Sequence, residues 1–407
     1  MCSISPFSIP CIVDSICDYL PNDDVVNCKK VCKDWVDLFA QNEWRSLFLT
    51  DPTPATLSII RKHAYRLESL SIYLSEHGML EMKYWDDGLD RMNCPTNEFR
   101  DLLELTRQNP RLRLLMVSTE RNSRELYDTF LIPSLRELMY LTELTLRVAP
   151  DVTIDDGGDY TTYYDYTIYT SFDLALLAMI LADCPSTLES LHITLDCSGY
   201  DSEVDSHSPP RTDLSTLDLS WKPLAIRKFH LFSVTDTYFQ DLIHIALFPF
   251  LKNCSLMKDL SLPSFPDDTC QALMKTIGGW LLGLRYLSLN NDNVDGRPFG
   301  FEVHHFGHIV QPIKFLQIDL KYLHDSTVLE VLRRNGSDEL EALRFTNTVD
   351  YFPLYAPPTE WFPNLTKVDY YASHRGSGWR TWTRSPENTS ADNITREEYN
   401  KKVELFG

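Results

Sequence analysis

The chain has 407 residues, an apolar fraction of 43% and a net charge of −20, with a pI of about 4.9. Such a length exceeds one compact core and suits a small domain followed by an elongated one. The acidity argues against nucleic-acid and anionic-membrane partners, both of which need a basic face, and favours solubility and basic protein partners.

Three short helices are predicted first. Ser8-Ile9-Pro10 opens a helix with a small hydroxyl residue and a proline near the first turn, and Ile12, Ile16, Tyr19 and Leu20 follow at helical spacing. Pro21-Asn22-Asp23-Asp24 ends that helix and caps the next, in which Val25, Cys28, Val31, Cys32, Trp35, Leu38 and Phe39 share one face. A third helix is predicted over Asn42 to Phe48, ahead of the break at Asp51-Pro52-Thr53-Pro54. Three such helices bury little area and gain from a partner that covers their remaining apolar surface. Cys28 and Cys32, four residues apart, read as small hydrophobes of one helical face, with no further metal ligand nearby.

Residues 7 to 49 resemble the F-box. The resemblance rests on Ile9-Pro10, Tyr19-Leu20, Asp24-Val25, Val31-Cys32-Lys33-x-Trp35 and the later Trp44. It implies binding to the Skp-type adaptor of a cullin–RING ubiquitin ligase. By the same resemblance Ile9, Pro10, Ile12, Ile16, Leu20, Val25, Val31, Cys32 and Trp35 would form the adaptor face and the core of the module. The family usually carries an acidic residue two positions after the proline, where this chain has Ile12.

Residues 51–66 are predicted to be a linker or capping helix, and from residue 67 one pattern recurs. It begins as Leu67-x-x-Leu70-x-Ile72, Leu112-x-x-Leu115-x-Val117, Leu141-x-x-Leu144-x-Leu146 and Leu188-x-x-Leu191-x-Ile193. Ile226-x-x-Phe229-x-Leu231, Met257-x-x-Leu260-x-Leu262, Leu284-x-x-Leu287-x-Leu289 and Ile313-x-x-Leu316-x-Ile318 continue it, and Leu340-x-x-Leu343-x-Phe345 and Leu365-x-x-Val368-x-Tyr370 close it. The last six start 31, 27, 29, 27 and 25 residues apart, the period of leucine-rich repeats. Each match predicts a short parallel strand with alternate residues buried, backed by a helix. Amphipathic or apolar stretches at Phe99–Thr106, Phe172–Ala182, Thr237–Leu251, Thr269–Leu281 and Thr327–Arg334 supply those helices. Leu214-x-x-Leu217-x-Leu219 also fits, but only twelve residues before the next match, as an irregular strand or a false one.

The expected fold class is therefore α/β, a short helical module followed by a leucine-rich-repeat solenoid over 67–371, a horseshoe of parallel strands backed by helices. The body resembles the irregular repeat domains found behind F-boxes in fungal proteins. The asparagine or cysteine that usually follows the strand is missing; Val234, Phe265, Asp292 and Lys321 stand there instead.

Strand alternation names the outward residues, among them Arg147, His192, His230, Tyr286, Asp319 and Arg344 as candidate substrate contacts. Ten strands about 4.8 Å apart give a face of roughly 45 Å, suited to a protein or long peptide rather than a metabolite. Extra residues at 75–96, 149–170, 197–212 and 291–306 each follow a strand and leave from one rim, where binding function tends to sit. The second of these holds Asp155, Asp156, Asp159, Tyr160, Tyr163, Tyr164 and Tyr166, and the first holds Trp85. Tyrosines interleaved with aspartates suit a Lys/Arg-bearing segment, and a ligand-free acidic loop is the alternative reading.

No phosphate loop, nucleophile elbow or HExxH pair appears, and His304-His305-x-x-His308 lacks a suitably spaced further ligand. Neither a cofactor, a metal nor an enzymatic role is expected. The last cysteine, Cys270, stands 137 residues from the end, and no RING-like Cys/His spacing exists. Ten cysteines with no CxxC pair read as free thiols. The N-terminus lacks a secretory pattern, and the longest apolar run, Leu174 to Ala182, is about half a membrane span. A cytoplasmic or nuclear protein is expected, with the sequons at Asn364, Asn388 and Asn393 read as chance matches. Residues 372–407 read as a polar tail or a cap on the last repeat. The resemblance to F-box proteins with repeats implies a substrate-recognition subunit of an SCF-type ligase, with partners in the Skp-type adaptor, through it cullin, and a protein substrate. The alternative is a repeat scaffold acting outside ubiquitination.

Overall fold

The computed structural model describes residues 16–17, 20, 22–31, 35–36, 39, 44–50, 54–63, 67–74, 109, 111–119, 131–148, 151–155, 167–171, 174–195, 219–233, 243–263, 267–290, 307–309, 311–319, 339–346, 362–372 and 378–383. The chain divides into two compact units, Met1–Ala149 and Pro150–Gly407.

In the first unit, helix α1 (Asn22–Cys28) precedes strand β1 (Ser46–Thr50), helix α2 (Pro54–His63) and strands β2 (Ser69–Leu74) and β3 (Leu114–Thr119). A helical turn, α3 (Ile132–Leu135), then leads to β4 (Glu143–Val148). The four strands are parallel neighbours in sequence order, with Leu47 opposite Leu70, Leu70 opposite Leu115 and Leu115 opposite Leu144. Strand β1 corrects the helix predicted over Asn42 to Phe48. Trp44-x-x-Leu47-x-Leu49 is the repeat pattern with tryptophan in its first place, and Leu49 is buried while Phe48 is 68% exposed. Alternation at period 2 outweighs the helical reading once a neighbouring strand offers its edge.

In the second unit a hairpin comes first, β5 (Asp151–Asp155) antiparallel to β6 (Thr167–Ser171). The insertion read as a rim loop over 149–170 therefore has paired stems. Next come α4 (Leu174–Asp183), β7 (Ser190–Leu195), β8 (Lys228–Ser233), a π-helical turn (Ile243–Leu247) running into α5 (Phe248–Lys252), β9 (Asp259–Pro263) and α6 (Asp267–Trp280). Strands β10 (Tyr286–Asn290), β11 (Phe315–Asp319), β12 (Ala342–Thr346) and β13 (Lys367–Ala372) continue the parallel order, and β14 (Gly378–Thr383) closes it antiparallel to β13. All ten predicted strands are present, and the units have the α/β repeat build expected of leucine-rich repeats. Residues 219–227 form no strand and β7 pairs directly with β8, while Leu214 and Leu217 of the further match lie outside the described residues. The helices predicted at 99–106 and 327–334 lie outside the described residues.

The pattern leucines form the core. Leu67, Leu70, Leu115, Leu141, Leu144, Leu188, Leu191, Leu260, Leu284 and Leu287 are each 0% exposed. Phe229 and Phe250 meet edge-on behind β8, their centroids 4.8 Å apart. Burying one such side chain stabilises by about 1.5–3 kcal/mol.

Ahead of most strands the chain makes the same turn. The N–H of the first pattern residue donates to the carbonyl three residues back in Leu141 to Leu138, Leu188 to Pro185, Met257 to Cys254, Leu284 to Leu281 and Leu365 to Phe362, at 3.0–3.2 Å. Two exposed residues lie between. Asn109 is buried at the equivalent place before β3, where its side-chain amide donates to Leu67 O at 2.6 Å and its carbonyl oxygen accepts from Arg111 N. Gln311 does the same before β11, donating to Ile277 O at 2.7 Å. Polar side chains ahead of the strand thus satisfy buried carbonyls in a fold whose usual post-strand asparagine is missing.

Candidate protein-recognition surfaces

In the N-terminal segment, Phe39 is 1% exposed and forms the centre of a small cluster. Trp35 stacks obliquely on it at 5.1 Å, and Cys17, Leu20 and Cys28 pack around it. Helix α1 ends at Cys28, where Lys30 N and Val31 N donate to Asn27 O and Cys28 O. Val31 follows the end of that helix and is 64% exposed. Val36 is 43% exposed. Among the predicted adaptor-binding residues, Leu20 and Trp35 are brought together, Ile16 is half-buried and Val31 projects to solvent. Val25 lies in α1, and Ile9, Pro10, Ile12 and Cys32 lie outside the described residues. Val36 escaped the sequence reading because it falls off the apolar stripe.

On β4, Arg147 is exposed as predicted, opposite Ser118. In the second unit the strand register places His192, His230, Ser261, Ser288, Gln317, Arg344 and Asp369 in one row across the sheet, of which Ser261 and Asp369 are buried. The His192 and His230 rings meet edge-on at 4.5 Å. His192 Nε2 lies 2.9 Å from Ser190 Oγ, and His230 Nε2 lies 3.1 Å from Asp259 Oδ1 at an angle that makes no hydrogen bond. Burial, then the neighbouring His230, lowers the His192 pKa below its ordinary 6.5, with Asp259 opposing and Lys228 adding to the shift. Further along the row, Asp369 binds Lys367 Nζ at 2.7 Å and Arg344 Nε at 3.7 Å. Tyr286 is 46% exposed and lies beside Phe315, centroids 6.4 Å apart. The predicted contacts His192, His230, Tyr286 and Arg344 thus share one sheet side, and Asp319 ends β11. Asp155 ends β5, whereas Trp85, Asp156, Asp159, Tyr160, Tyr163, Tyr164 and Tyr166 lie outside the described residues.

A second row was missed. One residue ahead of β8, β9 and β10, a single carbonyl accepts two N–H groups of the next repeat. Arg227 O takes Lys258 N and Asp259 N, Lys258 O takes Arg285 N and Tyr286 N, and Arg285 O takes Lys314 N and Phe315 N, at 2.8–3.1 Å. These joints align Arg227, Lys258, Arg285 and Lys314 as four consecutive cations. Arg227 pairs with Glu189 at 3.7 Å, and Lys314 with Glu341 at 2.6 Å. That hydrogen bond, with the charge behind it, raises the Lys314 pKa above its ordinary value. The overall acidity hid this column from the sequence reading.

Among the described residues no group of His, Cys, Asp and Glu is arranged to hold a metal ion, and no helix is long and apolar enough to cross a membrane. Cys184 is fully buried, its thiol pushed up to about 12, and burial raises Cys254 likewise, so both are poor nucleophiles. His308 occupies a half-buried turn against α6, whereas His304 and His305 lie outside the described residues.

No family model and no curated protein matches the chain. Among solved structures it is similar to one described as the crystal structure of the Rad7 and Elc1 complex in yeast, with 12% identity, 84% of each chain covered and a TM-score of 0.37. The site and fold define the chain as a repeat protein of the leucine-rich α/β type.

Proposed function

We propose that the chain is a substrate-recognition subunit of an SCF-type cullin–RING ubiquitin ligase. Its N-terminal segment docks on the Skp-type adaptor, and its repeats hold a protein target. The chain itself makes no bonds; it raises the local concentration of target near the catalytic subunits. The observation that carries this reading is the pair Val31 and Val36, solvent-exposed in the same segment as the Phe39–Trp35 cluster, where the F-box-like motifs lie. Apolar side chains held outward by a minimal core are what a docking module presents.

The test is recovery of purified Skp-type adaptor on the immobilised full-length chain. Wild type retains it, and Val31→Glu with Val36→Glu lowers retention at least about tenfold, since burying two unpaired charges in an interface is costly. Both positions are exposed, so the fold survives. Equal retention by the two proteins would refute the reading. The scaffold alternative is favoured by Ile12, which stands where the family carries an acid. It predicts that cullin is not recovered with the chain.

A further inference from the structure

We infer that the column Arg227, Lys258, Arg285 and Lys314 is the docking site of an acidic, amphipathic segment of a partner protein, one that alternates Asp or Glu with large apolar residues. The sign is unexpected in a chain of net charge −20, whose composition points to basic partners. The two outer cations have carboxylate partners in Glu189 and Glu341. Among the described residues the two central ones have none: Lys258 is exposed, and Arg285 donates only to the carbonyl oxygen of Pro312, at 3.3 Å. The backbone joints hold the four positions at the strand spacing of about 4.8 Å, so the column spans roughly 14 Å. An extended segment of four or five residues covers that length.

Apolar residues flank the cations on both sides. Tyr286 and Phe315 stand immediately after Arg285 and Lys314, at the start of their strands. On the other side, the turns ahead of β9 and β10 expose Leu256 (51%) and Leu282 (66%). Trp280, at the end of α6, is 54% exposed beneath the ammonium of Lys252 at 5.8 Å. A purely polyanionic ligand would leave these side chains in water; a segment with acids and apolar residues in alternation satisfies both rows. Charge complementarity selects the acid, and the flanking rows select its neighbours.

The inference concerns the second unit alone, and its test needs no adaptor, so it stands or falls separately from adaptor docking. The probe is a fluorescein-labelled twelve-residue peptide alternating Glu with Leu and Phe, titrated with full-length protein and read by anisotropy. Peptides with Gln or Lys in place of Glu, and a single-stranded oligonucleotide, serve as comparisons. The Glu peptide is expected to bind at least about tenfold tighter than the Gln peptide and to weaken several-fold when salt is raised from about 50 to 300 mM. Lys258→Glu with Arg285→Glu is expected to abolish binding. Leu256→Ser with Leu282→Ser is expected to weaken it several-fold, and unchanged circular dichroism shows that the exposed substitutions leave the fold intact. Equal binding of Glu and Gln peptides, or no effect of the charge reversal, overturns the inference. So does displacement of the peptide by the oligonucleotide, which marks a general polyanion surface. If no peptide binds until residues 149–170 are deleted, the occupant is an acidic segment of the chain itself, and the partner assignment fails.

Discussion

At the scale of single residues, burial and contact set consequences that the sequence does not display. His192 takes up its proton later in the folded protein than in the unfolded chain, because burial and the adjacent His230 disfavour its charge. The stability linked to this group is fully present above the unfolded-chain value of 6.5 and is lost as the pH falls below it through the lower pKa of the folded protein. His192→Gln should therefore shrink the fall in melting temperature between about pH 7.5 and 5.5; an unchanged pH profile would show that the group is not linked to folding. Gly278 in α6 faces another constraint, since a Cβ there would run into the carbonyl oxygen of His308, whereas one at Gly279 meets nothing. Gly278→Ala should cost about 1–3 kcal/mol in urea unfolding, and Gly279→Ala, in the same helix, should be neutral or stabilising by up to about 1 kcal/mol. Equal effects at the two positions would contradict the packing described.

At the scale of elements, the strands were legible and much of what joins them was not. Ten strands could be read from sequence because two buried residues at period 2, with a third buried residue ahead of them, leave a fixed mark. Strand β1 was hidden because Trp44 replaces the leading leucine and its neighbours also fit a helix. The β5–β6 hairpin was hidden by the turn-like composition between its stems, and the π-helical turn before α5 leaves no mark distinct from a helix. Of the recognition residues, the row from His192 to Arg344 followed from alternation. The cationic column did not, because it stands one residue before the alternation begins, where no periodicity marks it. Strand β14 makes an element-level prediction. It pairs with β13 along six residues, from Lys367–Thr383 to Ala372–Gly378, and turns the last parallel strand from an edge into an interior strand. Truncation before Gly378 uncovers that edge. Light scattering should then show concentration-dependent association that the full chain lacks; a monomeric truncated protein would mean that β14 does not protect the edge.

At the scale of the molecule, each unit is a series of repeats in which a strand touches its neighbours in sequence order, so stability is a sum of local terms. The joints between β8 and β9, β9 and β10, and β10 and β11 are each made by a carbonyl of one repeat and two backbone N–H groups of the next. Any residue except proline can supply those atoms. The side chains at 227, 258, 285 and 314 are consequently not needed for those backbone joints and can diverge while the joints persist. Binding preference can thus drift, or be exchanged by design, through four substitutions, a form of evolvability that follows from where the fold places its hydrogen bonds.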